Sequence, residues 1–149
     1  MLRVAPSAPV FPLGIPLIPP TTTKRGWRIL LVDDDEAIQT LVSRVAEKRG
    51  HQIIRVTEGV AALATAIEVQ PDVIVLDIQF PDADGRDVLS RLKADSRTAH
   101  IPVVVWSGRT GHDSDRRISL DLGAEDYVEK DDAQMLLQKL DRVLLRLSK

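Results

Sequence analysis

The chain contains no cysteine, so it can form neither a disulfide framework nor a thiolate metal site. No run of apolar residues reaches the roughly 18 that a membrane-spanning helix needs. Basic charge is not in excess: the net charge is -2, which gives no electrostatic reason to expect nucleic acid as a direct partner. Aromatic residues are scarce, and the apolar and charged fractions are 44% and 28%. This composition belongs to a soluble globular protein, and together these absences suggest a cytoplasmic location.

The N-terminus comes nearest to a long apolar run, reading VAPSAPVFPLGIPLIPP after Arg3. Prolines at 6, 9, 12, 16, 19 and 20 break any helical core such a segment could form. Residues 1–25 are therefore expected to be a disordered, polyproline-like arm. Nothing in the sequence supports a docking role for the arm, and a mis-assigned translation start explains it equally well. A single domain is expected over residues 27–149, as the length allows.

From Trp27 onward, short apolar runs alternate with helical patterns. Strands are read at Arg28 to Val32, 53–56, Val73 to Leu76, 103–106 and Tyr127-Val128. The first helix carries Ile38, Leu41, Val42, Val45 and Ala46 on one face and closes at Gly50. The second carries Val60, Leu63, Ala64 and Ile67, and ends at Pro71. Val88, Leu89 and Leu92 mark the third, and Asp113 to Leu122, capped by Gly123, the fourth. A last helix, capped by Asp131 or Asp132, carries Leu136, Leu140, Val143, Leu144 and Leu147. Its extra leucines, Leu137 and Leu145, are either a partner face or a wider core stripe. Strands that are apolar throughout and alternate with helices predict a doubly wound α/β fold with a five-stranded parallel sheet.

Ligands of such sheets sit at the carboxyl ends of the strands, where the winding reverses. Asp33, Asp34, Asp77, Ser107 and Lys130 all stand at strand ends. In the order 2-1-3-4-5, the first and third strands are neighbours and their acids converge. Adjacent carboxylates repel by about 2 to 4 kcal/mol per pair at an effective dielectric near 20. A divalent cation removes that repulsion, and an all-oxygen ligand set favours Mg²⁺. With a lysine and a hydroxyl nearby, the set suits phosphoryl transfer, in which Asp77 attacks and forms an acyl phosphate. Asp33 and Asp34 would hold the cation, while Lys130 and Ser107 contact phosphoryl oxygens.

DDDE after the first strand, LDIQFPDADG after the third, SG after the fourth and YVEK after the fifth resemble, in that order and spacing, the receiver domain of bacterial two-component response regulators. The resemblance implies a flavodoxin-like fold with five helices. It also implies that Asp77 accepts a phosphoryl group from a histidine kinase or phosphotransfer protein and loses it slowly by hydrolysis. By the same resemblance the Gln79 main-chain carbonyl is expected to join the Mg²⁺ ligands, and Ser107 and Tyr127 to move together as a switch. The surface of the fourth helix, fifth strand and fifth helix then changes toward a downstream protein or a homodimer. No output domain is expected within the chain.

The chain departs from the family pattern in several places. Asp131 follows Lys130 where the family usually has proline, and a trans Lys130-Asp131 bond is expected because a cis bond there costs about 2.5 to 4 kcal/mol. Trp106 is expected to limit how far Tyr127 turns inward, and Gln79 and Arg109 to border the path of hydrolytic water. His51, His100 and His112 lack ligand spacing and read as surface residues. The competing reading is a small Mg²⁺-dependent aspartyl phosphatase resembling the haloacid dehalogenase family, with Asp33 as nucleophile in an Asp33-x-Asp35 pattern. A receiver cut from a larger protein is a third.

Overall fold

The computed structural model describes residues 26–80, 82–108, 113–130 and 133–147. Within them, five strands alternate with five helices: β1 (Arg28–Val32), α1 (Glu36–Lys48), β2 (Gln52–Val56), α2 (Ala62–Val69), β3 (Val73–Leu76), α3 (Gly85–Ala94), β4 (Val103–Ser107), α4 (Asp113–Asp121), β5 (Asp126–Glu129) and α5 (Ala133–Leu147). The strands form one parallel sheet in the order β2-β1-β3-β4-β5. This is the predicted flavodoxin-like arrangement, with the winding reversal between β1 and β3.

Alternation along the strands sorts the core into two layers. Leu30, Val32, Ile74, Leu76, Val105 and Tyr127 face one side, packed with Ala62, Ala66, Leu89 and Leu92 of α2 and α3. Ile29, Leu31, Val75, Trp106 and Val128 face the other, against Val42 and Ala46 of α1 and the leucines of α5. Because both faces are covered, β3 is buried at all four positions. Burying one such aliphatic side chain stabilises the fold by about 1.5 to 3 kcal/mol.

The helix ends are chemically determined. Asp35 caps α1, its carboxylate accepting from the Ala37 and Ile38 N–H groups. Gly50 follows α1 at a φ of 86° while the Gly50 and His51 N–H groups return to the Glu47 and Ala46 carbonyls, so it closes the helix as expected. Gly85 opens α3 so close to the preceding loop that a Cβ there would lie 2.2 Å from Ile78 Cα.

Several apolar positions fall elsewhere than the periodicity predicts. Val60 lies in a 3₁₀ turn, Gly59–Ala61, and is 67% exposed. That turn winds three residues per turn and breaks phase with α2, whose buried residues are Ala62 and Ala66; Ala64 is exposed. In α1 the buried positions are Gln39, Val42, Ser43 and Ala46, and Leu41 is exposed. Leu137 belongs to the core, whereas Leu145 and Leu147 are exposed. At 1.5 Å per residue, α5 is about 22 Å long, longer than the roughly 17 Å strands it packs against.

His51 is buried rather than at the surface. Its Nδ1 accepts from the Trp27 N–H at 3.0 Å, and its Nε2 lies 3.7 Å from an Asp141 carboxylate oxygen. His100 is exposed, as expected. The N-terminal arm, Arg109, His112, the Lys130-Asp131 bond and the cap of α5 fall outside the described residues.

Candidate functional site

Backbone hydrogen bonds tie the carboxyl end of β1 to β2 on one side and to β3 on the other. The Asp33 N–H donates to the Val56 carbonyl at 3.0 Å, and the Asp77 N–H to the Val32 carbonyl at 2.9 Å. On the far side, the Lys130 N–H donates to the Ser107 carbonyl at 2.8 Å. The sheet therefore brings residues distant in sequence to one edge. Asp33, Asp34 and Asp77 each offer a carboxylate oxygen, and these oxygens lie within 4.8 Å of one another. Asp33 and Asp77 are buried; Asp34 is exposed.

The Lys130 ammonium bridges the two buried acids, 2.6 Å from Asp33 Oδ2 and 3.3 Å from Asp77 Oδ2. Each contact supplies a gross attraction of roughly 5 to 6 kcal/mol at an effective dielectric near 20. Desolvation of each ion removes several kcal/mol of that. Asp33 Oδ1 accepts the Asp35 N–H at 2.9 Å, and Asp77 Oδ1 the Gln79 N–H at 3.1 Å, so both carboxylates are held in fixed orientations. Burial pushes the Asp77 carboxyl above its ordinary range. Lys130 and the Gln79 N–H oppose that push, and Asp33 adds to it.

Gln79 is exposed and bridges to Asp84, and the Gly85 N–H returns to the Ile78 carbonyl at 3.2 Å, which sets the loop after Asp77. Ser107 is fully buried at the end of β4. Tyr127 is 5% exposed, so its ring already lies inward, with its hydroxyl unpartnered among the described residues. Trp106 packs in the opposite layer from Tyr127, because adjacent residues of β4 face opposite sides and Val105, not Trp106, pairs with Tyr127. The expected steric limit of Trp106 on the tyrosine is therefore excluded.

Asp35 spends its carboxylate on the α1 cap and lies outside the acid cluster, which leaves the Asp33-x-Asp35 reading without its second acid. Gln39 escaped the sequence reading. It is buried on α1, and its Nε2 donates to the Asp33 and Val56 carbonyls at 2.9 Å each. A polar residue within an apolar helical stripe was the available signal.

The sequence profile of the response regulator receiver domain family matches residues 29–141, and so covers both strands that bear the acids and Lys130. The chain belongs to the response regulator receiver domain family. The receiver resembles the DNA-binding dual master transcriptional regulator RpaA of Synechocystis sp., with 41% identity over 120 residues, 80% of this chain and 49% of that protein. It also resembles the phosphate regulon transcriptional regulatory protein PhoB of Escherichia coli, 34% identical over 81% of this chain and 53% of that one. The chain thus spans about half the length of these relatives. A response regulator from Desulfuromonas acetoxidans of known crystal structure superposes with a TM-score of 0.74, with 30% identity over 81% of the receiver and 98% of that chain.

The donor set fits a hard divalent cation. It consists of oxygen alone, with two buried carboxylates and an exposed third from which ordered water can complete a coordination shell. No helix among the described residues is long and apolar enough to cross a membrane.

Proposed function

We propose that Asp77 is the phosphoacceptor of a two-component or phosphorelay system, taking its phosphoryl group from a phosphohistidine on a kinase or phosphotransfer protein. The observation that carries this reading is the Lys130 ammonium lying between Asp33 and Asp77, at 2.6 and 3.3 Å, at the carboxyl edge of the sheet. Ionised Asp77 Oδ attacks phosphorus, the P–N bond to histidine breaks with its electron pair staying on the ring nitrogen, and the imidazole leaves neutral, the other ring nitrogen carrying its proton throughout. Lys130 releases part of its hold on Asp77 to pair with a phosphoryl oxygen, and the Ser107 hydroxyl meets another. Asp33, Asp34, Asp77 and the Gln79 main-chain carbonyl would hold Mg²⁺, which when bound offsets the negative charge spread over the phosphoryl oxygens. Hydrolysis of the acyl phosphate resets the site slowly.

Ser107 and Tyr127 serve as the switch. One hydrogen bond to a charged group contributes about 1.5 to 3 kcal/mol, short of the roughly 5.5 kcal/mol that takes an equilibrium from 1:99 to 99:1. The inward Tyr127 is consistent with a population shift in a state already sampled. The surface of α4, β5 and α5 carries the change to a downstream protein or a second receiver. This domain, residues 27–149 with its proline-rich arm, acts in the cytoplasm through protein contacts, without touching nucleic acid itself.

Intact-mass spectrometry after incubation with Mg²⁺ and a small acyl phosphate tests the reading. One phosphoryl group is expected on the wild type and none on Asp77→Asn. Equal labelling of both removes Asp77 from the role.

A further inference from the structure

Of the large apolar side chains exposed among the described residues, Val60 is the most exposed, at 67%. It stands over a groove of about 420 Å³ between the Gly59–Ala61 turn and α2 on one side and the 82–91 segment on the other. Leu63 and the buried Val88 line it beside Val60, while Asp82, Asp84, Asp87 and Arg91 bring the charge. The groove is a built feature. Asp82 accepts from the Gly59 and Val60 N–H groups at 3.3 and 3.2 Å and so joins the two walls. Gly59 lets them approach, since a Cβ there would lie 3.0 Å from Ala83 Cβ and 3.2 Å from the Phe80 ring.

The charge around the groove is one-sided. Arg91 is paired within α3 to Asp87 at 2.8 Å, whereas the hydrogen bonds to Asp82 and Asp84 come from backbone N–H groups. By contrast, the apolar groove between α1 and α5, beside Leu41, carries Arg44, Lys48 and Glu47 and has the opposite balance.

We propose that the Val60 groove docks a partner-protein segment that presents an apolar side chain flanked by lysine or arginine. The exposed valine calls for an apolar complement, and the acids call for cations. The same acids repel nucleic-acid phosphates and anionic lipid headgroups. The surface is formed by the chain itself, so the inference stands apart from the phosphorylation of Asp77.

The test uses the intact chain and two short synthetic peptides, one of leucine and lysine and one with glutamate in place of lysine. Amide shifts in ¹⁵N-labelled protein report the site, and fluorescence polarisation reports the Kd. The lysine peptide is expected to shift residues 59–63 and 82–91. Val60→Asp should weaken it by about tenfold or more, as for a central apolar anchor. Asp87→Lys should weaken it further, and the glutamate peptide should not bind. Both substitutions lie on the surface, and unchanged amide spectra elsewhere verify the fold. The proposal is overturned by shifts centred on another face, by a Kd indifferent to Val60→Asp, or by sedimentation showing that this face pairs two copies of the chain.

Discussion

At the scale of single residues, the site rests on charge held under strain of burial. The Asp77 carboxyl lies above its ordinary range chiefly because it is buried, so its ionised form is less favoured in the folded chain than in the unfolded one. Its contribution to stability is therefore full below the unfolded value of 3.8 and is lost as pH rises through the higher folded value. Asp77→Asn removes that loss, and Lys130 keeps its nearer partner, Asp33, at 2.6 Å. The metal-free variant should melt above wild type at pH 7, with the gap closing toward pH 4; calorimetry across pH checks this, and a lower melting temperature contradicts it. Gln39→Leu leaves the Asp33 and Val56 carbonyls without the amide that reaches both at 2.9 Å. Urea unfolding should show a cost of about 1 to 3 kcal/mol. Calorimetric titration should also show weaker Mg²⁺ binding, because the Asp33 peptide loses its anchor.

At the scale of elements, strand positions were legible in the sequence because β1, β3 and β4 are buried on both faces and read as unbroken apolar runs. Helix faces were less so. Gln39 and Ser43 take core positions on α1 although polar, Gln39 satisfied by carbonyls and Ser43 by Arg55 Nε at 3.0 Å. Hydropathy cannot register partners supplied by another strand. Likewise, nothing in a periodic pattern announces the 3₁₀ turn that turns Val60 outward. Trp106 and Tyr127, neighbours in β4 and β5, pack in different layers. A Trp106→Phe and Tyr127→Phe double-mutant cycle should therefore give a coupling below about 0.5 kcal/mol. Coupling above about 1 kcal/mol would mean that the two rings share a cavity after all. Leu140→Ala, in the centre of the α5 stripe, should cost about 2 to 5 kcal/mol, against no more than about 0.5 for Val60→Thr at the surface.

At the scale of the molecule, the parallel sheet converts sequence order into a site. Strand order alone brings Asp33, Asp77 and Lys130 to one edge, and all three are legible in the sequence as residues at strand ends. The inward pose of Tyr127 and the buried histidine tie of His51 to Trp27 and Asp141 were not, because both depend on packing between elements far apart in the chain. The central claim is that this edge makes Asp77, and no other acid, the phosphoacceptor. Borohydride reduces an aspartyl phosphate to homoserine, so trapping after treatment with Mg²⁺ and a small acyl phosphate, followed by peptide mapping, reads the acceptor directly. Homoserine at position 77, formed only with both reagents present, is the predicted result; homoserine at position 33 or 34 would contradict it.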